Sequence, residues 1–160
     1  MPKATRWFAL AAVVAVLDQL VKWAFLVSFA PGERREITGF FNLVLVFNKG
    51  AAFSFLADAP GWQAPLFTGF ALLAAAVISV MIVRNAQKWV LCTGLGLVLG
   101  GALGNVIDRL RFGHVVDFLD FHAAGWHFPA FNVADSAITI GAALLILEGF
   151  VREGRSGAAP

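Results

Sequence analysis

Charged residues are scarce in this sequence. Of its 160 residues only 14% are charged, whereas 59% are hydrophobic, and the mean hydropathy is +0.79. A water-soluble domain carries roughly a quarter of its residues as charged side chains. The composition therefore excludes the soluble class and indicates a protein that lies in a lipid bilayer.

Cysteine is almost absent, since Cys92 is the single one and lies within an apolar run. One thiol cannot form a disulfide within the chain and cannot assemble a thiolate zinc cluster. The net charge is only +2, and the basic residues are scattered between hydrophobic stretches. Such a distribution offers no binding face for phosphate backbones, so we expect no nucleic-acid partner.

Four stretches are long and apolar enough to cross a bilayer, which takes about 20 residues of helix. The first follows Lys3 and Arg6 and thus also resembles a secretory signal peptide, but it is too long for one and lacks a clear cleavage site. We therefore predict a multi-pass α-helical membrane protein, a single domain over residues 1–160 with a disordered tail at 153–160. Its predicted transmembrane helices are residues 7–29, 65–83, 89–107 and 131–151.

Positive charges near the helix ends favour a cytoplasmic location for both termini. Lys3, Arg84 and Arg152 fall on one side of the membrane when four helices alternate in direction. The opposite side also carries arginines and a lysine. The asymmetry is weak, and charge alone leaves the orientation open.

Two segments between the predicted helices are not helical. Residues 41–48 alternate in a period of two, which predicts a strand, and Asn48, Lys49 and Gly50 supply turn chemistry before a possible return strand at 51–56. We predict a small sheet over residues 37–56 that lies on the outer membrane surface. Residues 109–129 are rich in polar and turn-forming residues and predict an outer loop.

Ionisable side chains inside a membrane helix need a partner or a function, because each costs at least about 2–3 kcal/mol there. Asp18 and Lys22 are four residues apart in the first helix, so they share a face and can form a structural ion pair. The third helix ends in Asn105 and Asp108, three residues apart. Its glycines predict close packing against neighbouring helices.

Asp117 and Asp135 are two carboxylates in apolar surroundings near the predicted outer boundary. Asp135 has an ordinary explanation, because an acid in the first turn complements the helix dipole and Asn132 can act as the helix cap. Two aspartates held close together in an apolar site instead tend to share one proton, so that one acts as base and the other as acid. Such a pair can activate water against a peptide carbonyl.

Five motifs occur in series between residues 18 and 138. They are DQ at 18–19 followed by Lys22, FNKGAAF at 47–53, GGALGNVIDR at 100–109, VVDF at 115–118 and FNVAD at 131–135. In order and spacing this series resembles the lipoprotein signal peptidases, also called signal peptidase II. Each motif alone is weak, whereas five in order are highly specific.

The resemblance implies a four-helix membrane protease with an extracytoplasmic β-cradle and an outer loop or helix. It implies removal of the signal peptide from diacylated prolipoproteins, just before the lipid-modified cysteine. Asp117 and Asp135 correspond to the catalytic dyad, which activates water without a cofactor or metal. Asp18 and Lys22 correspond to buried supports, and the remaining positions correspond to dyad support or substrate binding: Asn48, Gly50, Asn105, Asp108, Arg109 and Asn132.

Further expectations concern partners and location. We expect a monomer of the bacterial inner membrane whose partners are prolipoprotein substrates and membrane lipid. Both termini are expected in the cytoplasm, with the active site at the extracytoplasmic face.

Three other functions fit single features of the sequence. A zinc protease needs a set such as His114, His122 and His127 with Asp117 or Asp120, but the chain lacks a His-Glu-x-x-His helix. A serine hydrolase needs an activated Ser54 or Ser136, and neither lies in a nucleophile elbow.

The third alternative is a small transporter. Intramembrane ionisable residues can line a proton or ion path, and Asp18, Lys22, Asp108 and Asp135 are candidates for one. The sequence shows no inverted repeat, which many transporters carry.

Overall fold

The computed structural model describes residues 2–50 and 63–156. Four helices in this part of the chain are long and apolar enough to cross a membrane, which confirms the predicted fold class. Three of them extend beyond the predicted ends by a turn or more. The helices are α1 (Pro2–Ser28), α2 (Gln63–Asn85), α3 (Trp89–Phe112) and α4 (Val133–Ser156).

Helix α3 is the centre of the bundle and packs against each of the other three helices. In its apolar span 56% of the residues are buried, compared with 17–28% in the other helices, whose remaining faces are apolar and exposed. Helices α1, α2 and α4 therefore present the surface that faces lipid. The core between them contains Trp7, Ile82 and Leu95.

Glycines allow α3 to approach its neighbours at backbone distance. A β-carbon at Gly100 would lie 2.6 Å from the carbonyl oxygen of Ala11 in α1, and one at Gly101 would overlap the carbonyl oxygen of Ala134 in α4. Only glycine fits at these two contacts, because any larger residue would push the helices apart. The packing role predicted for the α3 glycines is confirmed.

A four-stranded antiparallel sheet packs at one end of the bundle, in the order β1-β2-β3-β4. The predicted strand at 41–48 is confirmed as β2, with a bulge between Leu43 and Val46 where it pairs with β3. The predicted return strand at 51–56 lies outside the described residues. The strands are β1 (Arg34–Thr38), β2 (Phe41–Asn48), β3 (Val115–Ala123) and β4 (Trp126–His127).

Two predictions about irregular segments were wrong. Most of the predicted loop at 109–129 is regular, because α3 continues to Phe112 and residues 115–123 form the strand β3. This strand is buried along most of its length, so it lacks the alternation of polar and apolar residues that marks a half-exposed strand. The predicted tail also begins later, since α4 continues to Ser156.

The sheet is joined to the bundle at the point where α1 and α3 end and α4 begins. The ring of Phe25 in α1 stacks on Phe118 of β3 with centroids 4.4 Å apart. Leu119 of β3 forms a backbone bridge to Phe131, and α4 starts two residues later. The ends of α1 and α3, the start of α4 and the strand β3 therefore meet in one region. This region contains most of the polar residues singled out in the sequence.

Candidate active site

Asp117 is the third residue of β3 and is almost fully buried, with 2% of its surface exposed. Each of its carboxylate oxygens accepts a hydrogen bond from a side-chain amide. Asn48 Nδ2 donates to Oδ2 at 3.0 Å, and Asn132 Nδ2 donates to Oδ1 at 2.7 Å. The carboxylate is thus fixed from two sides, by β2 and by the residue before α4.

Asp135 is the third residue of α4 and forms a reciprocal cap with Asn132. The backbone N–H of Asp135 donates to Asn132 Oδ1 at 2.9 Å, and the backbone N–H of Asn132 donates to Asp135 Oδ2 at 3.3 Å. This is the geometry of a capping box. The other carboxylate oxygen accepts from Asn105 Nδ2 at 2.8 Å, which ties Asp135 to α3.

Asn132 therefore joins the two aspartates. Its carboxamide oxygen caps α4 beside Asp135, and its carboxamide nitrogen donates to Asp117. The same nitrogen lies 3.3 Å from Asn105 Oδ1 and 3.2 Å from the carbonyl oxygen of Val116. One side chain therefore acts both as the helix cap of α4 and as a hydrogen-bond donor to Asp117.

The protonation of Asp117 departs from that of an ordinary aspartate. Its pKa is raised from 3.8 to about 7, chiefly because burial removes the water that would solvate its charge. The negative charge of Asp135 raises it further, while the hydrogen bonds from Asn48 and Asn132 lower it. A carboxyl group with a pKa near neutrality can both hold and release a proton under physiological conditions.

Lys22, Asp18 and Asp108 form a buried ion cluster next to Asp117 and Asp135. Lys22 Nζ is 2.8 Å from Asp18 Oδ2 and 2.8 Å from Asp108 Oδ2, and all three side chains are at most 2% exposed. Lys22 Nζ also donates to Asn105 Oδ1 at 3.0 Å. That bond fixes which end of the Asn105 carboxamide faces Asp135.

The two carboxylates of this cluster also hold backbone close to the aspartates. Asp18 accepts from the backbone N–H of Ala134, next to Asp135, at 2.9 Å. Asp108 accepts from the backbone N–H of Val116, next to Asp117, at 3.0 Å. The cluster thus ties α1 and α3 to the first turn of α4 and to β3.

Gln19 belongs to this cluster, and the sequence analysis missed it. Its Nε2 donates to Asp108 Oδ1 at 2.7 Å and to the carbonyl oxygen of Gly104 at 3.2 Å. The available signal was its place in the DQ motif. A polar amide in the middle of a membrane helix needs hydrogen-bond partners as much as a charge does.

Gly50 and Arg109 lie at the edge of the site. Gly50 has a positive φ of 103°, and its N–H donates to Asn48 Oδ1 at 2.8 Å, which turns the Asn48 amide nitrogen toward Asp117. Arg109 lies within electrostatic range of Asp117, Asp135 and Asp108. Its Nε is buried and has no hydrogen-bond partner among the described residues.

A cavity of about 370 Å³ opens over Asp117. It is lined by side chains of β2 on one side and by the segment before α4 on the other. Asp117 is the only carboxylate among the described residues that line it. The lining residues are Val46, Phe47, Asn48, Lys49, Asp117, Pro129 and Ala130.

The side chains named for the zinc and serine alternatives have other contacts. No three His, Cys, Asp or Glu residues in the described ranges are grouped as metal ligands. His114 packs on Phe47, and His127 hydrogen-bonds Asp120. The Ser136 hydroxyl donates to the carbonyl oxygen of Asn132 at 2.9 Å, and Ser54 lies outside the described residues.

Comparison with known proteins assigns the family. The family described as signal peptidase (SPase) II matches residues 10–151. The chain belongs to the signal peptidase II family. Lipoprotein signal peptidases of Paraburkholderia phytofirmans and Ralstonia nicotianae are 57% and 59% identical to it over 142 residues, which cover 89% of this chain and 83% and 82% of those proteins.

Solved structures of bacterial membrane enzymes share the fold of this chain. A bacterial membrane enzyme determined at 2.3 Å resolution superposes with a TM-score of 0.82 and 29% identity, over 97% of this chain and 92% of that one. A second, determined at 1.9 Å, gives a TM-score of 0.78 and 30% identity, over 90% and 92%. The protein is therefore a peptidase of the bacterial inner membrane.

Lys22→Met tests the ion cluster, because methionine has a similar length but carries no charge. The change leaves Asp18 and Asp108 buried without a counter-charge, which costs about 3–5 kcal/mol of stability. We expect a clearly lower thermal unfolding midpoint in detergent. The Lys88 side chain is exposed and donates to Asn85 Oδ1, so Lys88→Met is the matched control. Equal midpoints for the two variants would contradict the structural role of the cluster.

Proposed function

We propose that this peptidase removes the signal peptide from diacylglyceryl-modified prolipoproteins, cutting before the lipidated cysteine with water activated by Asp117 and Asp135. The observation that carries the proposal is the coupling of these two aspartates through Asn132 at one end of the bundle. The substrate class is supported by the name of the relatives, lipoprotein signal peptidase.

In the proposed reaction Asp117 begins protonated and Asp135 begins ionised. Asp135 accepts a proton from water as the water oxygen bonds to the scissile carbonyl carbon, and Asp117 gives its proton to the carbonyl oxygen. The C–N bond then breaks, Asp135 returns its proton to the leaving amine, and Asp117 takes back the hydroxyl proton. Both aspartates regain their starting states without a covalent intermediate or a cofactor.

The surrounding residues take supporting roles in this proposal. Asn48 and Asn132 fix Asp117, and Asn105 fixes Asp135, through the hydrogen bonds described above. Lys22 with Asp18 and Asp108 orients Asn105 and holds both chain segments in place. Gly50 sets the turn at Asn48. The buried Nε of Arg109, which has no partner within residues 2–50 and 63–156, is suited to bind a substrate carbonyl.

An ion pathway has less support from the same residues. Asp18, Lys22 and Asp108 pair with one another, and Asp135 caps the first turn of α4. All four lie where α1 and α3 end and α4 begins. A conducting path requires polar groups along the whole bilayer, and these residues are gathered at one end of the bundle.

The dyad is tested by Asp117→Asn and Asp135→Asn. Each amide keeps the shape of the side chain but cannot cycle a proton, so each variant should lose at least about a thousandfold in kcat while it remains folded. Glu36 is an exposed β1 carboxylate, and Glu36→Gln is the matched control with unchanged kcat. Substantial turnover by either dyad variant would remove that residue from the mechanism.

The pH profile reports the shared proton. As pH rises through about 7, Asp117 loses its proton, and kcat/KM should fall by up to about tenfold per pH unit because the acid is lost. Asn48→Ala removes a hydrogen bond that lowers the pKa of Asp117, so the falling limb should move to higher pH. A limb that stays in place or moves to lower pH contradicts Asp117 as the titrating group.

The same shift predicts how stability depends on pH. The folded pKa of Asp117 is about 7 and the ordinary value is 3.8, so between these values the folded state binds more protons than the unfolded state. The contribution of Asp117 to stability is therefore complete below pH 3.8 and is lost as pH rises through about 7.

The lipid on the substrate tests the specificity part of the proposal. Binding energy from the two acyl chains can position the scissile bond at the membrane surface. A purified sample in detergent should therefore cleave a diacylated prolipoprotein before its cysteine and cleave the same sequence without the diacylglyceryl group at least about a hundredfold more slowly, with a lower kcat. Equal rates on the two substrates would exclude this use of the lipid.

The orientation is proposed with both termini in the cytoplasm and the sheet outside. It is supported by the basic residues Lys3, Arg84 and Arg152. In a Cys92→Ala background, a membrane-impermeant thiol reagent applied to spheroplasts should label Ala123→Cys, at the end of β3, and spare Ala86→Cys, between α2 and α3. The opposite labelling pattern means that the aspartates face the cytoplasm, away from exported substrates.

A further inference from the structure

A second buried aspartate lies on β3, three residues after Asp117. Asp120 is 4% exposed, and three other strands of the sheet contact its carboxylate. From β2, Asn42 Nδ2 donates at 2.8 Å, and from β1, Arg34 Nε lies 3.8 Å away. From β4, His127 Nδ1 lies 2.9 Å from Oδ1 and 3.0 Å from Oδ2.

The charge state of Asp120 fixes the direction of the His127 bond. Burial by itself would raise the pKa of Asp120, but the hydrogen bonds from Asn42 and His127 and the nearby positive charges outweigh it and lower the pKa. An ionised carboxylate can only accept hydrogen bonds, so Nδ1 of His127 carries the proton and donates. The imidazole is also stacked on His122, with ring centroids 5.0 Å apart.

The chain that follows His127 leads directly to the candidate active site. The N–H of Phe128 donates to the carbonyl oxygen of Phe121 at 2.8 Å, and Phe131 exchanges backbone bonds with Leu119 at 3.0 and 2.9 Å. Between these points Pro129 and Ala130 line the cavity over Asp117. Asn132, which donates to Asp117, directly follows Phe131.

This connection, residues 127–132, has one side-chain bond among those described to hold its start against β3. The side chain of His127 is 36% exposed, and its strand is only two residues long. A two-residue strand on a sheet edge is weakly held by backbone bonds alone. The bond from His127 to a carboxylate that β1 and β2 also contact adds a charge-assisted side-chain restraint to the backbone bonds of this segment.

We propose that Asp120 and His127 are positioning residues for the reaction, which hold the 127–132 segment so that its wall of the cavity and the Asn132 amide are in place over Asp117. The inference rests on the proposed role of Asp117. Neither residue touches the reacting atoms in this scheme. Their effect reaches Asp117 through the backbone between His127 and Asn132.

Two substitutions of His127 separate the hydrogen bond from the ring contact. His127→Phe keeps an aromatic ring to stack on His122 but has no donor, whereas His127→Asn places an amide nitrogen where Nδ1 stands and has no ring. We expect His127→Phe to lower kcat by about five- to tenfold with KM within about twofold of wild type, because a small misplacement of the site is costly. His127→Asn should retain near wild-type kcat.

The pH profile gives a readout that a purely structural role would not move. The Asn132 bond lowers the pKa of Asp117, so loosening Asn132 should shift the falling limb of kcat/KM to higher pH. His127→Phe should shift the limb in the same direction as Asn132→Ala and by a smaller amount. Glu33→Gln, which removes an exposed ion pair with Arg35 near the same sheet, is the control and should shift nothing.

The outcomes distinguish this inference from the function on which it rests. If Asp117→Asn is inactive while His127→Phe keeps the wild-type kcat and limb, or equals His127→Asn, the positioning role is overturned and the proposed function stands. If Asp117→Asn remains active, the proposed function fails first. A lower unfolding midpoint in His127→Phe without a shift in the limb also overturns the positioning role.

Discussion

A single buried cation holds together the region that contains the candidate active site. Lys22 lies between Asp18 and Asp108 at 2.8 Å from each, inside a bundle whose outer faces are apolar. Helices in lipid gain little hydrophobic free energy from contact with each other, so polar contacts and close packing decide how they are arranged. Removing Lys22 would leave two buried carboxylates without a counter-charge, which makes the arrangement of α1 against α3 specific.

The same cluster determines where the two proposed catalytic aspartates lie. Asp18 holds the first turn of α4, and Asp108 holds the start of β3. Lys22 orients Asn105, which contacts Asp135. Asp117 and Asp135, which are 18 residues apart, are therefore brought together by α1 and α3, neither of which carries either residue.

Asn132 shows why one residue type is suited to its position. Helix capping needs a side-chain oxygen that accepts from the first turn, and Oδ1 of Asp117 needs a hydrogen-bond donor. Aspartate would supply the acceptor only, and alanine would supply neither. A carboxamide presents both on one planar group, so the cap that starts α4 also sets the hydrogen bonding of Asp117.

Much of the fold followed from the sequence because its signals are local. Long apolar runs predicted the four helices, and the alternation at 41–48 predicted β2. Strand β3 was missed because it is buried along most of its length and its aspartates interrupt the apolar run, so neither alternation nor continuous hydrophobicity marks it.

Asp117 and Asp135 were singled out as charges in apolar surroundings, but their connection through Asn132 depends on tertiary contacts that no spacing encodes. Gln19 was passed over because its partners, Asp108 and Gly104, lie on another helix.

The two aspartates of β3 show that burial alone does not determine protonation. Asp117 and Asp120 are exposed by 2% and 4%, and for both of them loss of water is the largest influence and raises the pKa. Asp117 has amide donors and a neighbouring anion, and its pKa rises to about 7. Asp120 has an amide donor, an imidazole and an arginine, and its pKa falls below the ordinary value. The partners of each carboxylate therefore decide whether it holds a proton or a fixed charge. Side chains in a strand alternate between faces, and a spacing of three puts these two carboxylates on opposite faces, where each can keep its own set of partners.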